Sequence, residues 1–201
     1  MTAKILLIRH ATHSDLGSRL SGRSRGGSLS AVGYTQAHAI ARYLAEGRLD
    51  RIETSPVTRA RETAAILSSR TGLPVTVAPA LDEIDFGEWE GRAFAELEDD
   101  PRWRDWNAAR SVATAPDGES MASVQSRALA HIADTAKSTR GTAIAMVTHC
   151  DVIRAVVAGV LGLSLDNLLR FSVDPASVTR LEVGTWGAKV CSINEAVPCI
   201  S

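Results

Sequence analysis

The chain has 201 residues, 45% of them hydrophobic, enough to bury a proper core in one domain spanning residues 1–201. Its 22 Lys and Arg against 23 Asp and Glu leave a net charge of -1, so nothing draws it as a whole to nucleic acid or an anionic membrane, and any anion site must be built locally. No apolar run reaches the length of a membrane span, no signal peptide opens the chain, and Cys150, Cys191 and Cys199 lack CxxC spacing; the expectation is a cytoplasmic protein without a disulfide framework or zinc site.

The first strand is the aliphatic run Ile5 to Ile8, which stops abruptly at Arg9 and His10. Ligands of open α/β sheets bind at the carboxyl ends of strands, so this pair is a candidate site. A polar stretch from Thr12 to Ser28 follows, with Arg19, Arg23 and Arg25 among Gly17, Gly22, Gly26 and Gly27. Its small residues let backbone amides approach a ligand, and its arginines are forked donors suited to phosphate or carboxylate. His13 reads as a loop residue near the pocket mouth. Ser30 caps a helix that buries Ala37, Ile40, Ala41 and Leu44 and ends at Gly47, with His38 on its surface.

Arg51 to Thr54 is a second strand, and Ser55-Pro56 predicts a helix start with the serine as N-cap and the proline at the first helical position. Arg59 and Arg61 then stand in its opening turns, where two cations oppose the helix dipole unless an anion joins them or Glu62 neutralises one. Val75 to Ala78 is a third strand. Between Leu81 and Gly91 lie Asp82, Glu83, Asp85, Glu88 and Glu90, interrupted by Ile84, Phe86 and Trp89. The apolar residues pack such a loop down and leave some carboxyls partly buried, where a raised pKa suits a general acid.

Residues 92–118 read as a helical cap insertion over the sheet edge, with Trp103 and Trp106 as packing residues. Ser120 caps a long helix whose core stripe is Val124, Ala128, Ile132 and Ala136. Thr142 to Thr148 is a central buried strand ending in His149, and Asp151 to Leu161 is the next helix. Leu168 to Val173, Val178 to Val183 and Lys189 to Asn194 complete the sheet as three short strands, some of them antiparallel. Exposed strand edges permit a homodimer.

This α/β alternation brings Arg9, His10, Arg59, Glu83 and His149 to one sheet edge. Two imidazoles, two guanidiniums and a carboxyl describe an anion site with a nucleophile and an acid, which fits phosphoryl transfer. Arg9, Arg59 and a protonated His149 neutralise the phosphoryl oxygens. A neutral His10, held so by the adjacent cations, attacks; Glu83 protonates the leaving oxygen and later takes a proton from water.

These residues resemble the histidine phosphatase superfamily, also called phosphoglycerate mutase-like. Arg9-His10-Ala11-Thr12 is similar to its Arg-His-Gly signature, and Leu29, Ser30, Gly33 and Gln36-Ala37 to its first helix. Ser55-Pro56, Arg59-Ala60 and Glu62-Thr63-Ala64 resemble the second-arginine segment, and Asp82-Glu83, Phe86-Gly87 and Trp89-Glu90-Gly91 the acid loop. Gly118-Glu119-Ser120 and Val147-Thr148-His149 with Ile153-Arg154 complete the series. The resemblance implies an α/β three-layer sandwich, a mainly parallel sheet with helices on both faces. It also implies His10 as the phosphorylated nucleophile, Arg9, Arg59 and His149 as the phosphate clamp, Glu83 as the proton donor, and no metal or organic cofactor.

Thr12, Arg19, Ser21, Gly22 and Cys150 are the candidate substrate-binding residues. The chain departs from the family pattern at Ala11, at Thr12-His13, at Leu16 where many members carry asparagine, and at Cys150 where glycine is common. The expected activity is hydrolysis of a small phosphorylated metabolite, with sugar phosphates and cofactor precursors such as a ribazole phosphate open. A mutase-type phosphotransferase is the alternative, disfavoured by the short chain. A phosphate-binding module without chemistry needs only the cations, and a metal site of His10, His13 and His149 lacks a supporting acid motif.

Overall fold

The computed structural model describes residues 2–24, 27–139 and 141–197; Arg25 of the Gly-rich loop and Cys199 lie outside them. The strands are β1 (Ala3–Arg9), β2 (Arg51–Thr54), β3 (Val75–Val77), β4 (Ala143–Thr148), β5 (Val178–Gly184) and β6 (Gly187–Glu195), in the order β3-β2-β4-β1-β5-β6. The first four in that order run parallel, and β5 and β6 close the sheet antiparallel.

The helices are α1 (Ala31–Ala45), α2 (Thr58–Thr71), α3 (Phe94–Glu98), α4 (Pro101–Ala108), α5 (Met121–Ser138) and α6 (Cys150–Leu161). Both faces of the sheet are covered, so its central strands are apolar on both sides. Ile5, Leu7, Ile144 and Met146 pack with α5 and α6, whereas Leu6, Ile8, Ile52, Ala145 and Val147 pack with α1 and α2. This is the expected three-layer arrangement. Among the described residues no helix is long and apolar enough to cross a membrane.

Local chemistry sets the helix ends. Ser30 and Ser120 cap α1 and α5 as expected, each accepting a backbone N–H with its hydroxyl. Gly72 and Gly162 end α2 and α6 in the left-handed conformation. Gly33 is required for another reason: a β-carbon there would stand 1.9 Å from the Thr12 carbonyl oxygen, which accepts from the Ser30 N–H and hydroxyl.

Two expectations need correction, and the helical reading of residues 92–110 is refined. The α2 helix begins at Thr58, not beside Ser55, because Ser55 continues the strand ladder through its N–H to the Val147 carbonyl. Residues 92–110 form two short helices, since Asp100 caps and Pro101 opens a new one. The first of the three short strands expected after α6, Leu168 to Val173, is absent: Leu165–Arg170 is a 3-10 turn that buries Leu165 and Leu168, a three-residue period instead of a two-residue one.

Candidate active site

Parallel pairing of β1 with β4 places Arg9 opposite Thr148, and the His10 N–H donates to the Thr148 carbonyl. The two strands therefore deliver His10 and His149 side by side, with ring centres 5.1 Å apart. Arg59, in the first turn of α2, reaches between them. Its Nε–H donates to His10 Nε2 at 3.0 Å and its Nη2 to His149 Nδ1 at 3.1 Å and to the Gly22 carbonyl at 2.8 Å.

A guanidinium only donates, so these bonds fix both tautomers. His10 carries its proton on Nδ1, which donates to the Ala11 carbonyl at 2.9 Å, and keeps a lone pair on Nε2. His149 carries its proton on Nε2, which donates to Ser55 Oγ at 2.7 Å. Burial, then the Arg59 charge, pushes both imidazoles well below their ordinary pKa. Neutral His10 is as expected, with burial outweighing the adjacent cations. A protonated His149 is not the state of the free site, because burial and the N–H from Arg59 both oppose its charge.

Glu83 closes the site from the acid loop. Its Oε2 lies 3.6 Å from His149 Nδ1 and 3.8 Å from Arg59 Nη2. Burial first and the neighbouring Asp151 second push its carboxyl up to about 7. The loop is packed as expected, with Ile84, Phe86 and Trp89 buried. It is held by three side chains to which the sequence assigned no part in this loop. Arg127 of α5 donates to the Ala80 and Glu83 carbonyls, Thr148 donates to the Leu81 carbonyl, and Ser55 donates to Asp82, which itself accepts the Glu83 N–H. Glu119 ties Arg127 to Arg23.

His10, Arg59 and Glu83 line a cleft of about 250 Å³ at the carboxyl ends of β1 and β4, with His149 fully buried behind Arg59 and not on the cleft wall. A larger groove of about 600 Å³ opens at the opposite end of the strands between Lys4, Tyr43, Arg48 and Arg180. None of the convergent imidazole, guanidinium and carboxyl chemistry borders it, so the smaller cleft is the candidate site. Arg9, His10, Arg59 and Glu83 line it, as do Arg19, Ser21, Gly22 and Cys150. The Cys150 thiol is pushed up to about 11 by burial and Asp151, which leaves it protonated and unreactive.

Thr12 does not border the cleft, because its backbone is spent on Gln36 and the start of α1. Arg23 is likewise turned away from it, bonded to the Glu83 carbonyl and paired with Glu119. Glu62 does not pair with the arginines; its carboxylate accepts the Leu29 N–H. His13, expected in the loop, is buried in the cleft edge-on to His10, with ring centres 5.3 Å apart. Among the described residues no cluster of three or more His, Cys, Asp or Glu could hold a metal ion; Arg59 donates into the very nitrogens of His10 and His149 that a metal would need.

The profile of the histidine phosphatase superfamily (branch 1) matches residues 5–196. A bifunctional protein of Mycobacterium tuberculosis is 35% identical over 189 residues, covering 92% of this chain and 51% of the relative; the chain thus spans about half the length of that relative. A glucosyl-3-phosphoglycerate phosphatase of Mycolicibacterium vanbaalenii is 32% identical over 184 residues, covering 82% of this chain and 76% of the relative. Among solved structures, the Bacillus stearothermophilus protein YhfR superposes with a TM-score of 0.90 at 26% identity, covering 96% of this chain and 98% of the other. With its two strand-end histidines, the arginine between them and the family profile running nearly end to end, the chain belongs to the histidine phosphatase superfamily.

Proposed function

We propose that the protein is a phosphomonoester hydrolase that works through a phosphohistidine on His10. The observation that carries this reading is the fixed tautomer of His10: Nδ1 donates to a backbone carbonyl, so Nε2 presents a lone pair into a cleft with cationic walls. The phosphatase names among the relatives support the same chemistry.

The entering phosphoryl group displaces the Arg59 Nε–H from that lone pair. Arg59 and Arg9 then turn donors to the phosphoryl oxygens; Arg59 Nη1 and Arg9 Nε are buried without a hydrogen-bond partner among the described residues. His10 Nε2 attacks phosphorus as the P–O bond to the leaving group breaks, and Glu83 gives its proton to the departing oxygen. The products are an alcohol, a Glu83 carboxylate and a phosphohistidine that keeps its proton on Nδ1. Water then attacks phosphorus and passes a proton to Glu83, the P–N bond breaks, and neutral His10 returns with inorganic phosphate. Residues 92–118 serve as the cap over this cleft, supplying Phe94, Trp103, Trp106 and Arg110 to its wall.

Brief incubation with a radiolabelled phosphomonoester, then quenching, should trap a phosphoenzyme that is stable in base and labile in acid. His10→Ala should abolish it. Label retained in that variant overturns the assignment, and transfer to a second hydroxyl in place of phosphate release would identify a mutase.

A further inference from the structure

Glu83 and Arg59 reach the cleft from separate segments, the acid loop and the first turn of α2, although both must serve one phosphoryl group. The Gly-rich loop touches each of them. Its Gly22 carbonyl accepts from Arg59 Nη2 at 2.8 Å, and the next residue, Arg23, donates its Nε–H to the Glu83 carbonyl at 2.8 Å. Two adjacent residues thus span from the phosphate clamp to the proton donor.

Arg23 is held where it can do this. Its Nη2 donates to Glu119 at 2.6 Å, its Nη1 lies 3.4 Å from Asp85, and its Nε lies 3.5 Å from Asp82. The Glu83 carbonyl takes a second donor, Arg127 Nη2 at 3.1 Å, and Glu119 accepts from Arg127 as well. The loop itself is clasped to the chain at the end of the acid loop: the Leu20 N–H donates to the Arg92 carbonyl at 2.9 Å, and the Leu20 carbonyl accepts the Gly91 N–H at 2.7 Å. Gly22, at a φ of +50°, lies so near Glu90 that a β-carbon would stand 3.0 Å from its carboxyl carbon. Balancing the charge of Asp82, Asp85 and Glu119 needs only a cation. Arg23 instead spends a planar fork on a carbonyl and a carboxylate together, which a lysine cannot reproduce.

We infer that Arg23 is a positioning residue for the proton donor: it fixes Glu83 relative to the phosphate clamp, which Gly22 grips on the same loop. This rests on the phosphohydrolase reading above. Arg23 does not border the cleft, so it acts on the reaction only through the backbone from which the Glu83 side chain projects. Without its fork the Glu83 carbonyl is left to Arg127 alone, and the neighbouring carboxylates repel one another. A displacement of about 1 Å is enough to lose much of what a positioned group contributes.

The test is steady-state kinetics on glycerol 3-phosphate, whose alkoxide needs a proton to leave, and on p-nitrophenyl phosphate, whose phenolate does not. Arg23→Gln should lower kcat on the alkyl ester about tenfold or more, a share of the roughly 10²–10⁴-fold that a positioned acid contributes. KM on that ester, and turnover of the aryl ester, should each change by less than about threefold, because Arg23 touches no substrate. Arg23→Lys, which keeps the charge and with it the Tm, should show the same split. In a Glu83→Gln background Arg23→Gln should cost the alkyl ester little more, since the group it positions is gone. Equal losses on both esters, alkyl turnover restored by Arg23→Lys, or a full further loss in the Glu83→Gln background overturns the inference and leaves the hydrolase reading standing. Absence of p-nitrophenyl phosphate turnover in the wild type overturns that reading, and the inference with it.

Discussion

Replacing Glu83 by glutamine separates its role as proton donor from its part in packing. The side chain keeps its size, and the amide still accepts the Ile84 N–H that the carboxylate accepts now. It can no longer deliver a proton to a leaving oxygen. An alkyl phosphate, whose alkoxide is a poor leaving group, should lose about 10²–10⁴ in kcat/KM, the usual worth of a positioned acid. An aryl phosphate such as p-nitrophenyl phosphate leaves as a stable anion and should lose far less. The pH profile of the wild type carries the same signature. The carboxyl titrates at about 7, and the reaction needs its protonated form, so kcat/KM on the alkyl ester should fall as pH rises through 7. The decline should reach about tenfold one unit above that pKa. The rising limb near pH 6 belongs to the second ionisation of the substrate phosphate. Steady-state kinetics with both esters from pH 5 to 9 reads all of this. A profile on the alkyl ester that keeps rising above 7, or equal losses on both esters in Glu83→Gln, would refute the assignment.

Two further substitutions probe how the site is held. Ser55→Ala removes the hydroxyl that accepts from His149 and Val57 and donates to Asp82; stranding these buried groups should cost about 1–3 kcal/mol. Both Tm and kcat should drop, with Ser55→Thr recovering most of each, and an unchanged kcat would show that His149 needs no such anchor. Gly33→Ala forces a β-carbon to 1.9 Å from the Thr12 carbonyl. An overpacking cost of about 3 kcal/mol lowers Tm by about 6–12 °C in a chain of this size. A thermal melt shifted by less than about 2 °C would mean that the Thr12 backbone yields freely.

The residues of the candidate site are the most legible in the sequence, because each breaks a local rule. His10 and His149 interrupt apolar strands, Arg59 sets a cation at a helix start, and Glu83 sits beside Ile84 in a loop otherwise rich in acids. The supporting residues break no rule and so stayed silent. Arg127 looks like an ordinary polar residue on α5, yet it holds the acid loop by two backbone carbonyls. Ser55 suits an N-cap by residue type, and only the tertiary fold shows its hydroxyl engaged by His149. Leu168 to Val173 is too short a run for its period to separate strand from turn; Leu165, just outside it, supplies the three-residue spacing that decides. His13 reads as a loop residue because polar loop residues are usually solvated, whereas the loop folds back through a bridge to Leu29 and buries it.

The pairing of β1 with β4 has a consequence for the order in which the molecule gains its chemistry. His10, the proposed nucleophile, follows directly on β1, and the histidine beside it follows directly on the strand formed by residues 143–148. Bringing the two together closes a loop over most of the sequence, the kind of contact that forms slowly and late. A chain emerging from synthesis thus carries His10 long before it has a site. β2 pairs directly with β3, but β1 joins them only once β4 stands between β1 and β2, and recovery of activity on refolding would serve as a clock for that insertion.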